Sequence, residues 1–153
     1  MPLAAYKSKR ERVTFGGGKD EFFDVRGISL PDVAMIIELH AGAVSSIVEM
    51  AQGQAEAFNS QNPQEVSDAI TNLIVSITRE SPILVANLIA ICADEEDAMT
   101  VALTLPVTVQ LDAMTKIAAL TFRDLASVKK LAADVMRLIR GIVPSANPRR
   151  MKK

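Results

Sequence analysis

The segment Pro82–Ala93 constrains the fold more than any other part of the chain. Its sequence, PILVANLIAICA, is apolar almost all the way round a helix, so it needs cover on every side. It has only about half of the roughly twenty apolar residues that a bilayer-spanning helix needs. We therefore expect a central, buried helix that is surrounded by other parts of the protein, with no membrane partner.

Helices with one apolar face are predicted before this segment. Ser29 is a candidate N-cap, and Asp32 three residues later completes an arrangement close to a capping box. Apolar residues then recur at helical spacing. We expect one helix to about His40 and a second from about Ala41 to Phe58, or alternatively a continuous helix with a bend at Gly42. Asn62-Pro63 predicts the start of another helix, which continues to about Arg79.

Proline also marks the helices that follow. Ser81-Pro82 predicts the start of the apolar helix, and Leu105-Pro106 predicts the end of a short helix and the start of a longer one. The last helix is predicted from a stripe of aliphatic residues with Gly141 as its C-cap. The stripe consists of Leu125, Val128, Leu131, Val135, Leu138, Ile139 and Ile142.

Residues 13–27 have strand character instead. RVTF and EFFDVRG are predicted strands, joined by a Gly-rich turn whose glycines are expected to supply positive φ angles. The expected fold class is mainly α, a compact helical domain of about six to seven helices preceded by a short N-terminal β-hairpin. Residues 1–12 are predicted to be a mobile arm, 13–142 a single helical domain with the hairpin over 13–27, and 143–153 a disordered basic tail.

Charge is distributed unevenly along the chain, although the net charge is only −1. Residues 1–28 carry +2, residues 29–122 carry −10 and residues 123–153 carry +7. A basic end on an acidic body could bind nucleic acid, an acidic partner or a second copy of the chain, or could simply be solvated. We expect self-association or client binding that weakens as salt rises. We expect no specific binding of nucleic acid, because no aromatic residues are interleaved with the basic ones.

The candidate residues for chemistry are few. His40 is the only histidine and Cys92 the only cysteine, and neither lies at a metal-ligand spacing from a partner. The run Gly16–Lys19 lacks the spacing of a phosphate-binding loop, and Asp94–Asp97 lacks that of a calcium loop. We therefore interpret His40 as a core or cap residue, Cys92 as a buried thiol of a reducing compartment, and Asp94–Asp97 as a solvated helix start. No catalytic, cofactor-binding or metal site is predicted.

Four segments, in order, resemble a known family. They begin with Val25-Arg26-Gly27-Ile28-Ser29-Leu30 running to His40, and continue with Pro82–Ala90, then Leu105-Pro106 with Gln110-Leu111, and Leu120-Thr121-Phe122. With DLASVKKLAADV at residues 124–135, the likeness extends over roughly residues 22–135. This set is similar to the tail assembly chaperones of long-tailed bacteriophages, also called pre-tape-measure proteins.

The resemblance implies a protein without catalytic activity or cofactors. Such proteins hold the long helical tape measure protein and help to recruit tail tube subunits in the host cytoplasm, and they are expected to be absent from the mature virion. Many exist in a short and a longer, frameshifted form, and this chain has the length of a short form. The family provides no binding residues to transfer, so the partner-binding surface stays unassigned at this point.

Two other hypotheses remain open from the sequence. The protein could be a structural tail or connector component that stays in the virion, with its hairpin adding to a neighbour's sheet. It could also bind nucleic acid through its basic end. Co-purification with a tape measure protein would favour the chaperone, and presence in mature particles would favour the structural component.

Overall fold

The computed structural model describes residues 2–122 together with Lys130, Asp134 and Arg137. Within residues 2–122 the chain forms a two-stranded hairpin followed by seven α-helices, which confirms the expected mainly α class. The elements are β1 (Arg10–Thr14), β2 (Phe22–Arg26), α1 (Leu30–Leu39), α2 (Ala41–Gly53), α3 (Ala55–Phe58), α4 (Pro63–Glu80), α5 (Pro82–Cys92), α6 (Met99–Thr104) and α7 (Val107–Thr121). Most of the predicted last helix, and the whole predicted tail 143–153, lie outside the described residues.

The hairpin is antiparallel and packs one face on the helices. In its register Glu11 lies opposite Val25 and Val13 opposite Phe23, so these four side chains share a face. Val13 and Val25 are completely buried, and α7 contacts both strands. An isolated hairpin would be marginal in water, and this contact with α7 is what stabilises it.

Two details of the hairpin differ from the sequence prediction. β1 begins at Arg10, so the last three residues of the predicted mobile arm 1–12 belong to the strand, because they pair with the far end of β2. The expectation of left-handed glycines was also wrong, since no glycine in the described chain has a positive φ. Residues 15–21 form a longer loop that does not need the sharp reversal of a two-residue turn.

Helix α5 is the central element, as predicted. Eight of its residues, from Leu84 to Cys92 with the exception of Asn87, are buried. Helices α1, α4, α6 and α7 all contact it, as does β2. Its uniform apolar surface is therefore explained by neighbours on every side.

Two sharp bends shape the helical layer. Helices α1 and α2 meet at His40 at an angle of 111°, and α4 and α5 meet at Ser81 at 113°. The first bend lies at His40, where the first of the two predicted helices was expected to end, and the alternative bend at Gly42 is not seen. The predicted helix over 41–58 is divided at Gln54. Among the described helices, none is by itself long and apolar enough to cross a membrane. The required length and hydropathy are reached only when the two helices of a bent pair are counted together.

Gly27 lies where the hairpin and α1 meet the end of α7. The backbone N–H of Ile28 donates a hydrogen bond to Thr121 Oγ1 at 2.9 Å. A Cβ atom added to Gly27 would lie 3.0 Å from the carbonyl carbon and oxygen of Leu120. The close approach of two backbones therefore explains why this position has no side chain.

We expect Gly27→Ala to lower the free energy of unfolding by about 1–3 kcal/mol, the usual cost of overpacking. The backbone of Leu120 cannot rotate away as a side chain could. Gly42→Ala is the matched control: nothing lies within 4 Å of its added Cβ. Because Gly42 is helical, its replacement should raise stability by about 0.5–1 kcal/mol. Urea unfolding of both variants measures whether the two changes in the free energy of unfolding have opposite signs. Equal changes would contradict the close approach of the Gly27 and Leu120 backbones.

Candidate functional site

An apolar groove runs between helices α4 and α7. Its volume is about 430 Å³. The α4 wall is built from residues at helical spacing, so a single face of that helix lines it. The residues that line the groove are Pro63, Val66, Ser67, Ile70, Thr71 and Ile74 on α4, with Thr115, Ala118, Ala119 and Phe122 on or after α7.

The two walls differ in side-chain size. α4 contributes the aliphatic side chains Val66, Ile70 and Ile74, whereas α7 contributes the small residues Ala118 and Ala119. Small side chains on one wall leave an open space between the helices at this end. The groove is therefore a concave surface on the flank of the core.

The hydroxyls of the two threonines that line the groove are already paired. Thr71 Oγ1 donates to the carbonyl of Ser67 at 3.0 Å, and Thr115 Oγ1 donates to the carbonyl of Leu111 at 2.8 Å. Each hydroxyl therefore bonds within its own helix. A ligand in the groove would need apolar surface more than hydrogen-bonding groups, which favours aliphatic or aromatic side chains over a polar metabolite.

The opposite flank of α4 is acidic. Glu56 of α3, with Glu65 and Asp68 of α4, lines a shallow hollow of about 370 Å³. α4 thus separates an apolar surface from an anionic one. A partner that lies across α4 would meet both kinds of chemistry.

The residues predicted as candidates for chemistry lie elsewhere. His40 is half-buried at the bend between α1 and α2, and its Nε2 lies 2.5 Å from Asn87 Nδ2 of α5. It therefore joins three helices, consistent with a cap or core role. Cys92 is fully buried, and burial raises the pKa of its thiol to about 12. The protonated, covered thiol is a poor nucleophile at neutral pH.

Asp94 does not begin a helix. The interpretation of Asp94–Asp97 as a solvated helix start was therefore wrong for its first residue. It follows the C-cap Ala93 of α5 with a φ of 57°, a left-handed conformation usually taken by glycine. The N–H groups of Asp94 and Glu95 donate to the carbonyls of Ile91 and Ala90, which completes a Schellman motif. Its carboxylate is thereby directed to the hairpin.

Arg26 is the cation that organises this region. Its guanidinium donates to both carboxylate oxygens of Asp32, at 2.6 and 3.2 Å, and to Asp94 Oδ1 at 2.9 Å. It also donates to the backbone carbonyls of Gly27 and Ile91. Arg10, which lies opposite Arg26 across the hairpin, binds the other oxygen of Asp94. Asp94 therefore compensates two like charges that would otherwise repel each other.

The pKa values of these groups follow from their surroundings. Burial acts to raise the pKa of Asp32, but hydrogen bonds from Arg26 and Ser29 outweigh it and hold that pKa below its ordinary value. Burial likewise acts on Asp94, whose pKa is lowered by hydrogen bonds from Arg10 and Arg26. The hydrogen bond to Asp32 raises the pKa of Arg26. All these groups are charged at neutral pH and form a structural ion-pair network.

In the part of the chain that the structure describes, no three histidine, cysteine or acidic side chains are grouped to hold a metal ion. Among the described residues, the apolar groove between α4 and α7 is the candidate functional site. Sequence reasoning missed it because alanine and threonine have no specific signature in a helix. The only signal was the apolar face of α4.

Comparison with known families identifies a match over the whole chain. The family model described as Pre-tape measure protein matches residues 1–153. The chain belongs to the pre-tape measure protein family. Membership links it to the tape measure protein of phage tails and confirms the family suggested by the four sequence segments. No curated protein and no solved structure matches the chain significantly.

The segments that resemble the pre-tape measure family have structural roles in this chain. Arg26 and Gly27 join the hairpin to the helices, as described above. Gln110, which is buried, donates from Nε2 to the carbonyl of Ala102 at 2.9 Å and so bridges the break between α6 and α7. Thr121 accepts the N–H of Ile28. Phe122 differs from these, because it lines the groove.

Proposed function

We propose that this protein is a non-enzymatic tail assembly chaperone that binds an apolar helical segment of the tape measure protein. The apolar groove between α4 and α7 is the observation that carries the proposal. Family membership supplies the link to the tape measure protein. The site of action in this proposal is the host cytoplasm, and the chaperone leaves before the virion is complete.

A helix is the partner that the groove fits best. Two helices form its walls, and amphipathic helices bind such surfaces through side chains at positions i, i+3, i+4 and i+7. The paired hydroxyls of Thr71 and Thr115 offer no free donors that would select a polar ligand. A tape measure protein is long and helical in this family, so it offers many such faces, and covering them would prevent aggregation before the tail tube assembles.

Co-expression with the tape measure protein of the same phage, followed by co-purification, tests the proposal. We expect Thr71→Arg to reduce the recovered complex at least about tenfold, because it places a charge in a groove that buries apolar surface. Asn72→Arg is the matched control. It is the next residue of α4, is also exposed, adds the same charge and lies on the acidic flank.

The pair of variants separates the groove from general effects of charge. Equal recovery with Thr71→Arg and Asn72→Arg would contradict binding in this groove. Failure of the unaltered chain to bind its tape measure protein would contradict the chaperone role itself. Recovery of the chain from purified mature particles would favour the structural component instead.

A further inference from the structure

The N-terminal arm, residues 2–9, is exposed along its whole length. Its apolar side chains include Leu3, which is 89% exposed, and Tyr6, which is 63% exposed. The arm ends where β1 begins at Arg10, which is bonded to Asp94. It is therefore a segment that is anchored at one end and whose large apolar side chains are not covered by the described part of its own chain.

The arm has an apolar start and a basic end. Leu3–Ala5 form a 3₁₀ turn, and the N–H of Tyr6 donates to the carbonyl of Leu3 at 3.0 Å. A spacing of three places the side chains of Leu3 and Tyr6 on the same side of such a turn. Lys7 and Lys9 follow. Because a tyrosine alone buries about 150–250 Å² when it is covered, Leu3 and Tyr6 together are a substantial apolar ligand.

The groove between α4 and α7 has the chemistry that this apolar pair needs. Its α4 wall is aliphatic, and the hydroxyls of Thr71 and Thr115 are bonded within their own helices. Its volume of about 430 Å³ lies within the roughly 300–1,000 Å³ of sites that enclose small organic ligands, so it has room for two large side chains. Among the described residues, none of those that line the groove belongs to the arm.

Charge complements the basic end of the arm on the far flank of α4. The acidic hollow there is lined by Glu56, Glu65 and Asp68. An extended chain rises about 3.3 Å per residue, so Lys9 can lie about 10 Å beyond Tyr6. A helix with its side chains is about 10–12 Å across, so an arm that places Tyr6 in the groove can cross α4 and bring Lys9 to the acidic flank. The exposed pair of Lys9 with Glu11, at 3.8 Å, is too weak to prevent this.

We propose that the N-terminal arm of one copy of this chain docks into the groove between α4 and α7 of a second copy. Leu3 and Tyr6 enter the groove, and Lys7 and Lys9 cross α4 towards the acidic hollow. A second copy is favoured over the arm's own groove because the arm is fully exposed in the single chain. Each copy offers one arm and one groove on separate surfaces, so two copies can exchange arms reciprocally or further copies can add head to tail.

The arm and a client helix would occupy the same groove. The docking of the arm does not depend on the function proposed above, whereas its consequence for the client does. A client must displace the arm, so its apparent affinity falls by the fraction of chains whose groove is open. Self-association thus covers the apolar groove until a client binds.

Sedimentation of the full-length chain over a range of concentrations tests the docking. We expect the unaltered chain to self-associate. Leu3→Asp combined with Tyr6→Asp, the arm variant, should raise the dissociation constant at least about tenfold, because it places charges against an apolar groove. Ala4→Asp combined with Ser8→Asp is the matched control, since it changes the charge of the arm equally and keeps both apolar side chains. It should change the constant by less than about threefold at 0.15 M salt, where exposed charges interact weakly.

The fold of these variants should be unaffected. All four substituted residues are exposed, so the thermal unfolding midpoint should match that of the unaltered chain. Any loss of self-association in the arm variant then reports on the contact between copies.

A mixture of two defective variants shows whether the contact joins an arm to a groove. The arm variant keeps its groove, and Thr71→Arg keeps its arm. Each should remain a single chain by itself, whereas the equimolar mixture should form a heterodimer in which the arm of Thr71→Arg enters the groove of the arm variant. The proposal is overturned if the unaltered chain stays a single chain at all concentrations, if either variant self-associates as the unaltered chain does, or if the mixture forms no heterodimer.

The client separates this proposal from the function proposed above. At concentrations where the unaltered chain self-associates, the arm variant should bind the tape measure protein several-fold more tightly, because the competitor is removed. If the heterodimer forms but the tape measure protein binds no form of the chain, the docking holds and the chaperone role fails. If the client binds and the arm variant self-associates as the unaltered chain does, the chaperone role holds and the docking fails.

Discussion

Leu88→Asp is expected to abolish cooperative folding of this protein. Leu88 lies in α5, and only 9% of its surface is exposed. An aspartate there would be a buried charge without a partner, and it would also remove aliphatic packing at the centre of the core. Such changes cost about 4–5 kcal/mol or more, a large part of the roughly 5–15 kcal/mol that stabilises an ordinary domain.

Ile83→Asp provides the control within the same helix. Ile83 is 54% exposed and lies in the first turn of α5, where a negative charge is favourable next to the helix N-terminus. We expect its thermal unfolding midpoint to stay close to that of the unaltered chain. The measurement is circular dichroism during heating, with light scattering to detect aggregation. A soluble Leu88→Asp variant of near-normal stability would show that α5 is not the centre of the core.

The parts of this fold that could be predicted from sequence depend on local interactions. The all-round apolar character of α5 required burial, and Ser29 with Asp32 formed the capping box that their spacing suggested. Proline set the starts of α4, α5 and α7 within one residue, because it fixes its own φ and restricts the residue before it. Each of these signals lies within a few residues of its effect.

The parts that could not be predicted depend on contacts between distant residues. Asp94 and Arg26 are 68 positions apart, and nothing near either of them indicates the other. The groove exists because α4 and α7 pack together with small residues on the α7 side. It depends on both helices, so the sequence of neither helix alone indicates it. The contact between His40 and Asn87, which are 47 positions apart, likewise has no local signal.

The Arg26 network leads to the second large effect. The side chains of Arg26 and Asp32 are 16% and 8% exposed, so their bidentate pair is largely removed from water. Arg26→Met keeps most of the side-chain volume but leaves the Asp32 carboxylate without its cation. We expect the free energy of unfolding at pH 7 to fall by about 3 kcal/mol, the lower end of the cost of breaking a buried pair. Arg79→Met, which removes an exposed pair with Glu80, should change it by less than about 1 kcal/mol.

The dependence on pH distinguishes charge from packing. In the unaltered protein the pKa of Asp32 is lowered, so its contribution to stability is present above the unfolded pKa of about 3.9 and is lost as pH falls through the folded value. In Arg26→Met the lowering by Arg26 is lost while burial and the hydrogen bonds from Ser29 remain, so the pKa of Asp32 should be higher than in the unaltered protein. The variant should therefore lose less stability than the unaltered protein as pH falls.

The difference between the two proteins should therefore be largest near neutral pH and shrink below about pH 4, where Asp32 is protonated in the variant and in both unfolded chains. Urea unfolding at pH 7 and near pH 3 measures it. A difference that is the same at both pH values would show that Arg26 stabilises the protein through packing of its aliphatic part.

Adding Asp32→Asn to Arg26→Met completes a double-mutant cycle. Asp32→Asn should lower the free energy of unfolding much less in the Arg26→Met background than it does alone, because the charge it removes no longer has a partner. If the two changes in free energy are fully additive, Arg26 stabilises the protein through its bonds to Asp94 and the backbone carbonyls instead of through Asp32.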